Sequence, residues 1–104
     1  MSRSIKSVEI NGKDWTELIA AANVLAAGET PPIDPIDISG DILCVSRDVI
    51  WLLAYADEKP DADDIRGELI QQGEKNITTN ETRIYARCFN KAELGYIHVG
   101  PANA

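Results

Sequence analysis

The sequence holds few of the residues on which most metal and redox centres depend. Its 104 residues include one histidine, two cysteines and one methionine. Cys44, Cys88 and His98 show neither CxxC nor HxxxH spacing, so they lack the ligand pattern of a zinc site. Each cysteine lies in an apolar, strand-like segment, which predicts buried core side chains and leaves a disulfide between them open. The sequence therefore predicts no metal and no cofactor.

Positive charge is also scarce. Ten lysines and arginines stand against 17 aspartates and glutamates, which gives a net charge of -7. Nucleic acids and anionic membranes are bound by clustered lysine and arginine, so neither is an expected partner. The longest apolar run, Val49–Ala56, is too short to span a bilayer. The polar start MSRSIKSVEI lacks the apolar core of a signal peptide, which predicts a cytoplasmic origin.

The sequence shows no pattern of a catalytic site. His98 lies inside a strand-like segment without a nucleophile elbow nearby, so a hydrolase triad is not expected. The acidic segment DEKPDADD, residues 57–64, offers carboxylates to a calcium ion, but it lacks the glycine and glutamate positions of an EF-hand loop. We interpret it as a solvated turn and leave cation binding open. The protein is therefore not expected to be an enzyme.

One segment near the start of the chain has a helical pattern. Asp14 followed by Glu17 matches a capping box, and Gly28 is placed to end a helix. Apolar residues between them recur at spacings of three and four, namely Trp15, Leu18, Ile19, Ala22 and Leu25. The spacing predicts one short helix over residues 14–27.

The remainder of the chain has the pattern of a mainly β protein. Residues 4–10 alternate in the manner of a short edge strand. Over residues 41–99, short apolar segments are separated by frequent turns, which favours antiparallel sheets. DILCVS and VIWLLAYA are separated by Arg47 and Asp48, a spacing that fits a β-hairpin. We therefore predict a single domain over residues 1–104, a small antiparallel β-sandwich or barrel with one short N-terminal helix.

The segment Val49–Ala56 is apolar on both faces of the strand that it predicts. Trp51 and Leu53 point to one face, whereas Ile50 and Leu52 point to the other. Such a strand must be covered on both sides, by its own domain or by a neighbouring subunit. We expect Trp51 in the core.

Several segments of the chain resemble parts of small structural proteins of tailed bacteriophages. The matching pieces are DWTELIAAANVLAAGE, IWLLAYADEKP, ELIQQGE after Gly67, RIYARCF and YIHVGPANA, which span most of the chain from Asp14 onward. The resemblance implies a virion component of the head-decoration, head–tail or tail-associated type, made in the host cytoplasm. It implies other virion proteins as partners and assembly as a homo-oligomer. The residues expected to make subunit contacts are Ile50, Leu52, Tyr96 and Pro101.

Two other classes of function remain open at this point. A small acidic inhibitor of a host defence protein, mimicking the charge of a nucleic acid, would carry an acidic face that extends beyond the single loop at residues 57–64. A receptor- or carbohydrate-binding module would use Trp51 or Tyr55 as a stacking platform. That second class requires those rings to be exposed.

Overall fold

The computed structural model describes residues 6–20, 25–30, 32, 41–46, 49–71, 73–78 and 83–101. These residues form eight β-strands and no helix. In chain order the strands are β1 (Lys6–Asn11), β2 (Thr16–Ala20), β3 (Asp41–Val45), β4 (Ile50–Ala56), β5 (Glu68–Gln71), β6 (Glu74–Thr78), β7 (Arg83–Cys88) and β8 (Leu94–Pro101). The prediction of a mainly β chain is confirmed.

The strands form two antiparallel sheets of four strands each. Sheet I has the order β1-β8-β3-β6, and sheet II has the order β2-β7-β4-β5. Four of the pairings are nested, as in one long hairpin whose tip is the β4–β5 connection. They are β1 with β8, β2 with β7, β3 with β6 and β4 with β5. Two further pairings, β3 with β8 and β4 with β7, join the halves of that hairpin. Except at the tip, the chain changes sheet between consecutive strands.

Each sheet turns one face toward a shared core. Trp51 and Leu53 on β4 are 0% and 1% exposed, which confirms the core position predicted for Trp51. Alternate residues of a strand point to opposite faces, and the inward residues of β4 up to Leu53, of β7 and of β8 enter this core. Its buried members are Ile10, Leu18, Ile19, Cys44, Val49, Trp51, Leu53, Ile70, Ile84, Ala86, Cys88, Ile97 and Val99.

The two cysteines belong to this core as free thiols. Cys44 lies on β3 of sheet I, and Cys88 lies on β7 of sheet II. Burial raises the pKa of the Cys44 thiol to about 12 and that of the Cys88 thiol to about 11. Both side chains therefore stay protonated and act as small hydrophobic groups near neutral pH.

The helix predicted over residues 14–27 is wrong where the structure describes it. Thr16–Ala20 form β2, which pairs with β7, and residues 25–27 are not helical. Residues 21–24 lie outside the described part of the chain. Asp14 is not a helix cap either, because its Oδ1 accepts a hydrogen bond from the N–H of the adjacent Trp15 at 2.8 Å.

A β-bulge accounts for the helix-like spacing. The register of β2 against β7 shifts between Glu17 and Ile19. A bulge adds one residue to a strand, so side chains no longer alternate strictly between the two faces. Leu18, Ile19 and Ala20 are accordingly all buried. Leu18 and Ile19 follow Trp15 by three and four positions, which is the spacing of a helical stripe, although both residues lie on β2.

The hairpin predicted around Arg47 and Asp48 is also wrong. β3 lies in sheet I and β4 lies in sheet II, and the two strands do not pair with each other. Cys44 and Trp51 enter the same core from these two different sheets. The short connection therefore crosses between sheets instead of reversing within one. Residues 47 and 48 themselves are outside the described part.

Arg83 on β7 joins β2, an edge strand of sheet II, to residues 25–30. Arg83 donates hydrogen bonds to Glu17 Oε2 at 2.8 Å and to Glu29 Oε1 at 2.6 Å. The guanidinium, helped by the Ala26 N–H, lowers the pKa of Glu29 from 4.5 to about 2. The ion pair with Glu29 consequently persists down to strongly acidic pH. It fixes residues 25–30 beside β2 and β7.

We predict that Trp51→Ala lowers the free energy of unfolding by about 3–5 kcal/mol, because it leaves a large cavity in the shared core. Trp51→Phe is the matched control. It keeps most of the ring, and within the described part the buried Trp51 Nε1 has no hydrogen-bond partner to lose. We expect this variant to lose less than half as much. Urea unfolding followed by circular dichroism measures both, and equal losses would contradict the packing argument.

Candidate interaction surface

The outer face of sheet II is covered in part by the connection between β4 and β5. We call residues 57–67 the acidic loop, because five of them are carboxylates and only Lys59 and Arg66 are basic. Beneath it lies a second buried cluster formed by Trp15, Leu52, Ala54 and Tyr85. Leu52 is only 5% exposed. The outward apolar face of β4 is therefore covered largely by the domain itself.

A buried arginine holds the acidic loop against sheet II. Arg87 is 2% exposed on the outward side of β7. Its Nη1 donates to the Ala62 carbonyl at 2.6 Å, and its Nη2 donates to the Gly12 carbonyl at 2.6 Å. The guanidinium carbon also lies 5.4 Å from the centroid of the Trp15 ring, within the range of a cation–π interaction. One cation thus joins the loop, the β1–β2 turn and sheet II.

Further polar contacts fasten the rim of the loop. Trp15 Nε1 donates to the Asp64 carbonyl at 3.0 Å. Lys59 Nζ lies 2.7 Å from Asp14 Oδ2, and Arg66 pairs with the Asp64 carboxylate. The hydrogen bond from Lys59, followed by that from the Trp15 N–H, lowers the pKa of Asp14. Because both side chains of the Lys59–Asp14 pair are about half exposed, the pair orients the loop and adds little stability.

Beyond the acidic loop, sheet II leaves an apolar patch uncovered. We call Ile50, Leu69 and Phe89 the outer patch. Leu69 and Phe89 are 45% and 50% exposed, and Ile50 is half-buried between them. Leu69 stands opposite Leu52 in the register, and the Phe89 N–H donates to the Ile50 carbonyl at 2.9 Å. The three side chains therefore occupy neighbouring outward positions on β5, on β4 and at the end of β7.

Sheet I exposes a second apolar surface on β8. We call Leu94 and Tyr96, with the neighbouring His98, the β8 face. Leu94 and Tyr96 are 67% and 46% exposed. Tyr96 donates its hydroxyl proton to Glu9 Oε2 at 3.3 Å, and a 2.8 Å hydrogen bond joins Ser7 Oγ to His98 Nδ1. These cross-strand bonds to β1 orient the β8 side chains outward.

The structure divides the four predicted contact residues between different places. Ile50 belongs to the outer patch, and Tyr96 belongs to the β8 face on the other sheet. Leu52 is buried under the chain's own loop and offers no contact surface in this conformation. Pro101 ends β8, where its backbone pairs with Ile42 of β3. Of the four, Tyr96 is exposed and Ile50 is half-buried, and the two lie on different sheets.

A shallow polar cleft lies where two turns meet. It has a volume of about 410 Å³ and is lined by Asn11, Lys13, Asp14, Lys91, Ala92, Glu93 and Leu94. Gly12 lets these turns touch, since a Cβ there would lie 1.9 Å from the Asn90 carbonyl oxygen. Lysines and carboxylates both line the cleft, so its charge favours neither an anion nor a cation.

The rings proposed as a stacking platform differ in exposure. Trp51 is 0% exposed and cannot stack on a sugar, whereas Tyr55 is 47% exposed at the end of β4.

Among the described residues, no three His, Cys, Asp or Glu side chains are grouped to hold a metal ion. No helix found in the described ranges is long and apolar enough to cross a membrane.

The chain matches no protein-family model, no curated protein and no solved structure.

Neither Arg87 nor the docking of the acidic loop was predicted from the sequence. One signal was available, because Arg87 is the single charged residue within the otherwise apolar segment IYARCF, residues 84–89. The hydrogen-bond partners of Arg87 are backbone carbonyls of residues far away in the chain. Every residue has a backbone carbonyl, so the sequence does not identify which ones bind Arg87. Residues 57–64 were predicted to be a solvated turn, and most of their carboxylates are exposed. The backbone of this turn is anchored, because the Ala62 carbonyl accepts a hydrogen bond from Arg87.

We predict that Arg87→Met destabilises the domain by about 3 kcal/mol, because two carbonyls beneath the loop lose a charged donor. Hydrogen exchange of the amides at residues 57–67 should rise more than exchange in β8. Arg66→Met is the control, since it removes an exposed ion pair and should change stability by about 0.5 kcal/mol or less. Unchanged exchange in the loop of the Arg87 variant would show that the guanidinium does not hold it.

A second prediction concerns Gly67, which ends the acidic loop at φ +96°. A Cβ at this position would lie 2.1 Å from the Leu53 carbonyl oxygen. Gly28 is the matched control, because it has φ +83° but no atom within 4 Å of such a Cβ. Gly28→Ala should cost about 1–2 kcal/mol through backbone strain alone. Gly67→Ala should cost roughly 1–3 kcal/mol more through steric overlap, and equal thermal unfolding of the two variants would refute this difference.

Proposed function

We propose that this chain is a structural component of a tailed-bacteriophage virion, acting as a capsid-decoration, head–tail or tail-associated protein. It acts through contacts with other virion proteins and with copies of itself, and its place of action is the particle. The observation that carries the proposal is the β8 face. Leu94 is 67% exposed although it lies on a regular strand whose opposite face is fully packed.

The strand order supports this proposal at the level of the fold. We infer that the two sheets pack as a β-sandwich of the jelly-roll type, since eight strands paired as a rolled long hairpin define that arrangement. Jelly rolls occur in viral capsid proteins and in lectins. A shared architecture is an analogy and assigns no function alone. The sequence resemblance to phage structural proteins favours the virion over the lectin.

The surfaces of the domain support repeated contacts. The β8 face lies on sheet I and the outer patch lies on sheet II, and both point away from the shared core. A subunit with apolar contact surfaces on two sides can have a different neighbour on each side, as subunits in rings and shells do. Apart from Ile50, the outward apolar side of β4 adds little contact surface, because Leu52 and Ala54 are buried.

The decisive experiment compares phage particles assembled with and without this chain. We expect the chain in multiple copies by mass spectrometry of gradient-purified particles. We also expect particles lacking it to change in composition or thermal stability. The double variant Leu94→Ser and Tyr96→Ser should enter particles at less than a tenth of the parent level. Asp57→Ser, an exposed change in the acidic loop on sheet II, should enter normally. Identical particles with and without the chain, and a purified chain that is monomeric and binds no particle protein, would refute the proposal.

A further inference from the structure

The outer patch has an acidic border on the side where the loop meets sheet II. Ala62 lies over Arg87, because its carbonyl accepts the 2.6 Å hydrogen bond from Nη1. Asp61 and Asp63 flank Ala62 and are exposed. Phe89 directly follows β7 and is the next outward position after Arg87, about 7 Å further along. The acidic loop therefore contacts sheet II at the outward position next to Phe89, and Asp61 and Asp63 are the exposed carboxylates on either side of that contact.

The loop's own cations do not neutralise this border. Lys59 is paired with Asp14, and Arg66 is paired with Asp64. Both basic side chains of the loop are thus directed to carboxylates within the domain. The whole chain carries a net charge of -7, which favours association with a cationic partner.

We propose that the outer patch and the adjoining carboxylates of Asp61 and Asp63 form a docking site for a basic, apolar polypeptide segment of a partner protein. Ile50, Leu69 and Phe89 bind the apolar side chains of that segment, and the two carboxylates bind its lysines or arginines. The proposal rests on the proposed function, since it names the chemistry of one partner in the assembly.

The charge of the chain argues against a second copy as the occupant of this site. Two copies meeting patch to patch would bring two acidic loops together, and like charges facing each other across an interface oppose association. A nucleic acid or an anionic membrane would meet the same repulsion. A partner with cationic side chains gains attraction at the border and apolar burial at the centre, which is the usual division of an interface.

The test is a titration of isotope-labelled protein followed by NMR. The probe is a ten-residue peptide of alternating lysine and leucine, and the control peptides alternate lysine with serine and glutamate with leucine. We expect the lysine–leucine peptide to shift the amide signals of Ile50, Leu69 and Phe89, and to bind at least tenfold more tightly than either control. Equal binding of the lysine–serine peptide would show that charge alone attracts the probe, and would overturn the proposal.

Variants of the protein sharpen the result. Phe89→Ser and Leu69→Ser alter side chains that are about half exposed, so the fold should persist, which the unperturbed β8 signals will verify. Each should weaken binding at least fivefold, and the double variant Asp61→Asn with Asp63→Asn should do the same and reduce the salt dependence. Leu94→Ser, on sheet I, should leave binding unchanged. Equal weakening by Leu94→Ser, or none by Phe89→Ser and Leu69→Ser, would overturn the proposal. Failure here while the chain still enters particles through its β8 face would refute the docking site and leave the proposed function standing.

Discussion

The buried guanidinium of Arg87 is the constraint around which the outer half of the domain is organised. A charge that is 2% exposed must be satisfied by hydrogen bonds, because its desolvation is otherwise too costly. The two carbonyls that accept its hydrogen bonds belong to Gly12 and Ala62, which are far apart in sequence, whereas its Nε has no partner among the described residues. The acidic loop, the β1–β2 turn and Trp15 are therefore coupled through one side chain. Most carboxylates of the acidic loop face solvent, whereas its backbone contacts sheet II.

This arrangement explains why the most apolar segment of the chain runs directly into the most acidic one. β4 needs cover on both faces, and the segment that leaves it returns across its outward face to provide that cover. The backbone and the buried Pro60 face the sheet, while the carboxylates face water. An apolar loop in the same place would have left a large exposed patch, which is a hazard for aggregation.

The parts of the fold that sequence patterns could predict are those set by neighbouring residues. Alternation placed Trp51 and Leu53 in the core, and it placed β1 as an edge strand of sheet I. The helix prediction failed because the bulge beside Glu17 sets Leu18 and Ile19 side by side in the core, and a bulge depends on the partner strand. The hairpin prediction failed because a short link can reverse within a sheet or cross between sheets with the same residues. Ile50 and Tyr96, predicted as contact residues, lie on different sheets, which no local pattern shows. The docking of the acidic loop depends on Arg87, a contact between distant segments.

The nested pairing of the strands has a consequence for how the molecule is made. Lys6 pairs with Val99, so Lys6 of β1 has no partner until more than 90 further residues have been synthesised. Only β4 and β5, separated by the acidic loop, can pair early. Chains dominated by contacts between distant residues fold slowly, because loop entropy is lost before the contacts form. Unpaired strands are exposed during that interval, and the strong negative charge of the chain keeps nascent copies apart until the last strand closes the sheet.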